Sequence, residues 1–456
     1  MIILIAIALI IAMACRSLVH TLLHRCNQLE LMNMYHNIKT NFIFIIFLLL
    51  FSTVSFSQVK VNGITSPSKV VGITSPSSII GITIANDIIL WEADNLVSKV
   101  FVVDSIQPTG GSLAAGDASV PDANLEDPAM NALFTLMENR GENIYNIVGS
   151  DDVVVIKCAF QWDYRNNTST DRIKGFVWKI LNHPDGFTGE ILVGDNTQWR
   201  SLGIICNNSE DTDQDILDVI NTFSAKGYPV YKFEWMNIIE TFVDEYSSAD
   251  YNDGYIWEDA TKISYPKFQT GGGTYVSMRY GVWDEVGEVY DADKLCIINF
   301  PVLKSHGAGW GGATIGLKNW MGMLSVGSAA AHYGSENDMH FTYLFTSFAL
   351  VSKVMNVTYP DLTIVDATWS NPEQNQSQVW TWVGKLLAST DPAAVSWYGA
   401  KHLLTPIAWY PTATNPDYVG GRYNLNINYW TTALQDLGNT CTIDSTEISV
   451  YSTISP

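Results

Sequence analysis

Four uninterrupted apolar runs of strand length punctuate the chain: Asp152–Ile156 (DVVVI), Glu190–Val193 (EILV), Leu295–Ile298 (LCII) and Leu362–Val365 (LTIV). Runs without polar alternation suit strands covered on both faces, as in a parallel sheet. Between them Ile173, Phe176, Val177, Ile180 and Leu181 fall at i, i+3, i+4, i+7 and i+8, and Ile216, Leu217, Ile220 and Phe223 repeat the spacing. Each set makes one apolar face of a helix. Asp391-Pro392 ahead of AAVSWYGAKHLL supplies an N-cap and a first-turn proline for another helix, which accounts for Asp391 without chemistry. The alternation predicts an α/β domain over residues 98–456, a mostly parallel sheet with helices on both faces.

The first 97 residues follow another pattern. Met1–Ala14 and Phe42–Phe51 are apolar but shorter than the roughly 20 residues of a spanning helix. His36 and Lys39 precede the second run, and Ser55-Phe56-Ser57 follows it, the arrangement of a secretory signal cleaved near Ser57/Gln58. Residues 1–57 thus read as a signal or anchor segment of an exported protein, periplasmic, cell-surface or secreted. Met32 or Met34 would be a natural start for it, making residues 1–31 an over-extended start. A double anchor is the competing arrangement, disfavoured because no charge flanks Met1–Ala14 on its N-terminal side. Residues 58–97 carry a nine-residue repeat with glycines at Gly63, Gly72 and Gly81. Three copies are too few for a solenoid core, so this is a linker or short edge ribbon.

Charge narrows the partners. With 46 Asp and Glu against 25 Lys and Arg, the net charge of −21 repels phosphate backbones and anionic lipid, excluding nucleic acid and any membrane role beyond the N-terminal segment. Cys15 and Cys26 precede the signal; Cys158, Cys206, Cys296 and Cys441 follow it without a C-x-x-C spacing, so no iron–sulfur cluster or zinc knuckle is indicated. Disulfides and buried thiols both remain open, and no cofactor is specified.

Against this acidic background, Lys294–Ser335 holds Lys304, His306, Lys318, Asn319 and His332 but no Asp or Glu. About four acids would be expected in a stretch of that length. Its PVLKSHGAGWGGATIGLKNWMG core mixes cations with glycines, including Gly309 and Gly312, a composition that brings backbone N–H groups and positive side chains to one anion. Each predicted strand also runs into a polar residue, Lys157, Asp195, Asn299 or Asp366, and the carboxyl ends of parallel strands are where α/β sheets bind ligands. Gly307 to Gly312 formally fits G-x-G-x-x-G but starts far from the predicted strand end and lacks a following acidic strand, so a dinucleotide is not indicated. Asp211, Asp213 and Asp215 resemble the opening of a calcium loop, yet Ile216 stands where that loop needs glycine, leaving a solvated acidic turn before a helix.

At Lys304, His306, Thr314, Lys318, Asn319 and Gly322 the chain resembles the family known as domain of unknown function 362, which has a Lys and a His two apart, a Gly/Thr turn and a Leu-Lys-Asn near a glycine. His332 is similar to the histidine that follows this block. The strand ending in Lys157, the LTIVDA run with Asp366, the ASTDPAAV run at Ala388–Val395 and Asn415-Pro416-Asp417-Tyr418 before Leu437-Gly438 extend the resemblance over roughly residues 98–450. One departure is that Lys157 leads into Cys158 and Ala159, where the family continues Pro-Asn. Many members carry added ferredoxin-like cysteine clusters; this chain has none, so the resemblance implies no redox role here.

Three functions stay open. The first is an enzyme acting on a small carboxylate or phosphate, with Lys157, Lys304, Lys318, Asn319, Gly309 and Gly312 holding the anion, His306 transferring a proton and Asp366 orienting His306 or a lysine. The second is a metal-dependent enzyme using His306, His332, His340 and a carboxylate such as Asp338 or Asp366, disfavoured by the neighbouring lysines. The third is an exported anion- or glycan-binding protein without catalysis, offering Trp257, Trp283, Trp310, Trp320, Trp369, Trp380 and Trp382 as stacking surfaces.

Overall fold

The computed structural model describes residues 87–107, 118, 121–161, 164–197, 202, 214–238, 241–307, 311–324, 349–374 and 379–456. The expected signal, the glycine repeats, Cys206, Asp211, Asp213, Gly309, Trp310, His332, Asp338 and His340 lie outside these residues. Along the chain the strands are β1 (Ile88–Trp91), β2 (Ser98–Asp104), β3 (Val153–Lys157), β4 (Glu190–Asp195), β5 (Val230–Glu234), β6 (Gly254–Glu258), β7 (Ile263–Gln269), β8 (Tyr275–Ser277), β9 (Gly281–Asp284), β10 (Val289–Asp291), β11 (Leu295–Asn299), β12 (Val302–Gly307), β13 (Gly312–Thr314), β14 (Leu362–Asn371), β15 (Thr381–Ser389) and β16 (Ile448–Ile454).

The α/β class stands, and the sheet is mixed. Its main path runs β1-β16-β2-β15-β14-β11-β3-β4-β5, with β12 and β13 attached to β14. From β14 through β11, β3 and β4 to β5 every pairing is parallel. β15 breaks the pattern, lying antiparallel to both β14 and β2. The short link from Asn371 to Thr381 explains this, because a parallel return would need a longer crossover. Beyond β2, β16 is parallel and β1 antiparallel. Thus the segment read as a linker to residue 97 contributes an edge strand at Ile88–Trp91. A second, antiparallel sheet follows the order β10-β9-β8-β7-β6.

Side chains alternate between two cores. Val153, Val155, Ile297, Val365 and Leu387 pack on one face with the helices Leu350–Met355, Pro392–Tyr398 and Arg422–Asp436. Val154, Ile156, Ile298, Ile364 and Leu386 pack on the other with Pro128–Asn139, Thr170–Leu181 and Ile216–Ala225. The period of two is why these runs are apolar throughout. The expected helical stripe is observed, with Ile173, Phe176, Val177 and Ile180 buried in Thr170–Leu181. Asp215 caps Ile216–Ala225 through a reciprocal pairing with Asp218, which uses the last acid of the DTDQD run structurally. Asp391 caps its helix, accepting from Ala393 N at 2.8 Å and Ala394 N at 3.1 Å. Cys158, Cys296 and Cys441 are buried free thiols. Among the described residues no helix is long and apolar enough to cross a membrane.

Candidate functional site

The parallel register sets the floor of the site. Asn299 is the partner of Lys157, and Lys157 of Gly194, so the carboxyl ends of β11, β3 and β4 bring Asn299, Lys157 and Asp195 side by side. Lys157 Nζ pairs with Asp195 Oδ1 at 2.8 Å and donates to the Cys158 carbonyl at 2.9 Å and to Asn319 Oδ1 at 3.1 Å. Asn319 Nδ2 donates to Asn299 Oδ1 at 2.8 Å, and Asn299 Nδ2 to the Gly316 carbonyl at 2.9 Å. Asp195 Oδ2 accepts from Phe160 N at 2.9 Å. Three of the four polar strand ends therefore form one network.

The wall comes from β12, β13 and the short helix Gly316–Asn319. In a strand, residues two apart share a face, so Lys304 and His306 turn together into the site while Leu303 enters the core. Lys304 is paired across the ladder with Thr314, which brings that hydroxyl to the same place. The G-x-G-x-x-G-like run spans a hairpin: Gly307 ends β12, Gly312 opens β13, and the two are antiparallel partners with φ of +66° and +85°. Those φ values favour glycine. After Ile315 the chain turns into the helix that carries Lys318 and Asn319.

Lys157, Ala159, Gln161, Asp195, Asn196, Lys304, His306, Thr314, Lys318, Asn319, Met321 and Gly322 line a recess of about 390 Å³, counting its open mouth. Its three lysines are almost wholly buried, at 1% (Lys157), 3% (Lys304) and 5% (Lys318) exposure, and among the described residues one carboxylate, Asp195, lines it with them. Burial pulls the Lys304 ammonium down to about 7, Asp195 opposing and Lys157 adding to the shift. Burial, and then Lys304, push Lys318 well below the usual lysine range. Burial raises the Asp195 carboxyl, with Lys157 pulling it back. The Thr314 hydroxyl, 7% exposed, has no hydrogen-bond partner among the described residues.

Lys157, Lys304, His306, Lys318 and Asn319, all named from sequence, thus share one recess. Asp366 does not line it. β14 continues past the apolar run to Asn371, and Asp366 spends its carboxylate on backbone, accepting from Ser169 N at 2.8 Å and Thr368 N at 2.9 Å. The expected partnership with His306 or a lysine is replaced by a hold on the start of helix Thr170–Leu181. Gly312 also lies outside the lining; a side chain there would run into the Ala413 carbonyl and Tyr423, so close packing requires the glycine. Gln161 and Asn196 are lining residues not named from sequence, while Asp195 was named as a strand end and Thr314 and Gly322 as part of the resemblance. A Cβ on Gly322 would stand 2.5 Å from Lys157 Nζ and 2.6 Å from Asp195 Oδ1. Among the described residues no group of three or more His, Cys, Asp or Glu is arranged to hold a metal, and His332, His340 and Asp338 lie outside them.

Such a recess can concentrate negative charge, present an amine of near-neutral pKa and place an imidazole beside both. No curated protein matches the chain. Residues 251–401, which include the Lys304–Gly322 block but not Lys157 or Asp195, match the family model described as Domain of unknown function (DUF362).

Proposed function

We propose that the protein is an exported one that binds and acts on a small carboxylate or phosphate in this recess. The observation that carries the proposal is that, among the described residues, three buried lysines line the recess with one carboxylate, itself paired to Lys157. Burying three lysines in one recess is costly while all are charged, so the pocket either sheds protons or favours an anion. In a chain of net charge −21 such a patch has no general electrostatic origin. Lys318 and Lys304 supply charge, the Thr314 hydroxyl a hydrogen bond, and His306 moves a proton, its ordinary pKa of about 6.5 lying near working pH. Export is supported by the basic flank, apolar run and small residues before Gln58. A mature chain beginning near Gln58 in an expressing cell checks that part; retention of residues 1–57 overturns it.

Thermal denaturation against phosphate, oxalate and other small anions tests the site. A ligand at 100 times its Kd stabilises by about 2.7 kcal/mol, which gives a clear rise in melting temperature. The rise is expected with at least one anion and is expected to disappear in Lys318→Met. No rise with any anion, or one unchanged in that variant, would remove the site.

A further inference from the structure

The three lysines are held differently. Lys157 is locked to Asp195, whereas Lys304 Nζ has one hydrogen-bond partner among the described residues, the Asn166 carbonyl at 2.8 Å. An amine that gives one N–H to a fixed carbonyl has its remaining valences aimed elsewhere, and Lys304 lines the recess. Asn166 is itself held by Asn371 Nδ2 at 3.0 Å, so the acceptor is fixed. Lys318 lines the same recess from another element, with Thr314 directly across from Lys304. A charge-binding pair beside a held amine suits a substrate with two handles, an anion and an electrophilic carbon.

Resting on the anion site proposed above, we propose that Lys304 captures carbonyl compounds: its Nζ forms an imine with the aldehyde or ketone carbon of a small oxo acid whose carboxylate lies against Lys318 and Thr314. The amine lone pair attacks the carbonyl carbon, the C=O π pair moves to oxygen, and the oxygen takes a proton. The carbinolamine then expels that oxygen as water while nitrogen gives up its protons and closes C=N, so amine plus carbonyl yield imine plus water. His306 is the lining group suited to carry the proton to the departing oxygen. A desolvated lysine beside other cations is a recognised way to keep an amine nucleophilic. The near-neutral pKa of Lys304 is consistent with this.

Pyruvate or glyoxylate is added to the intact protein with borohydride, which reduces an imine to a stable secondary amine, and the product is weighed and peptide-mapped. One adduct on Lys304 is expected, lost in Lys304→Arg, which keeps charge but cannot form the imine, and suppressed by oxalate, an anion with no capturable carbonyl. Adducts on Lys318 or scattered over exposed lysines overturn the assignment. So does no adduct when oxalate still raises the melting temperature in a Lys318-dependent way, a result that leaves the anion site standing. Absence of both effects removes the anion site and the imine together.

Discussion

Two buried charge clusters grip the loop that ends at Ser169, and they are built to opposite rules. On one side Arg172 Nη1 meets both oxygens of Asp127 at 2.6 Å, with Asp366 and Asp171 close enough to favour its charge. Asp127 also caps helix Pro128–Asn139 through Ala129 N at 2.8 Å, and Asp366 takes Ser169 N. Every carboxylate there has structural work. On the other side Lys304 donates to the Asn166 carbonyl, and Lys157, Lys304 and Lys318 share the recess with one carboxylate among the described residues, Asp195. The first cluster is complete within the chain. The second sets three lysines against one carboxylate among the described residues, and its residues line a recess. Buried charge alone therefore does not mark a binding site; unbalanced buried charge beside open volume does.

The largest expected difference between the clusters is in stability. Arg172→Met strands Asp127 in the interior and should cost about 3–5 kcal/mol in ligand-free protein. Lys318→Met removes an amine that burial already pushes well below the usual lysine range, and should cost far less. Urea midpoints of the two variants read this directly. If Lys318→Met loses as much as Arg172→Met, the lysine cluster is internally satisfied and the contrast fails.

Next in size are two glycines that back the clusters. A Cβ on Gly175 would strike Asp127, and one on Gly322 would stand 2.5 Å from Lys157 Nζ. Each alanine substitution should cost about 1–3 kcal/mol as an overpacked site. Only Gly322→Ala should also weaken the anion-induced rise in melting temperature. An equal loss of that rise in Gly175→Ala would tie the arginine cluster to the ligand and dissolve the distinction.

Much of this contrast was legible in the chain. Strand-end Lys157 had to reach the carboxyl edge of a parallel sheet, whereas β12, which turns Lys304 and His306 to one face, was not expected from the sequence. The acid-free stretch already announced the cation excess. Asp366 misled because a polar residue after an apolar run looks like a strand end, whereas β14 continues for five more residues and the carboxylate serves backbone N–H groups. Gly322 was named only as the glycine near Leu-Lys-Asn; its need is set by a side-chain pair from β3 and β4. The antiparallel insertion of β15 was hidden too, since LTIV reads the same beside a parallel or an antiparallel neighbour. The small sheet escaped notice because strands such as Tyr275–Ser277 and Val289–Asp291 are too short to show a period.

The smallest effect, counted per pH unit, separates the clusters by pH. Lys304 sits near 7 in the fold and at about 10.4 in the unfolded chain, so between those values the unfolded state binds more protons. Stability must then climb as pH rises through that window, by up to about 1.4 kcal/mol per unit from this one group, and the contribution is lost below it. Arg172, which burial lowers but its carboxylates raise more, keeps its proton throughout and adds no slope. Urea midpoints of wild type and Lys304→Met between pH 7 and about 9.5 read the term together with its coupling to Lys318, which Lys304 helps to depress. The wild-type curve should be the steeper, and a saturating anion should flatten it by holding Lys304 charged. Parallel curves would mean that Lys304 stays protonated in the fold, which would leave it no more nucleophilic than a surface lysine and make the two clusters alike.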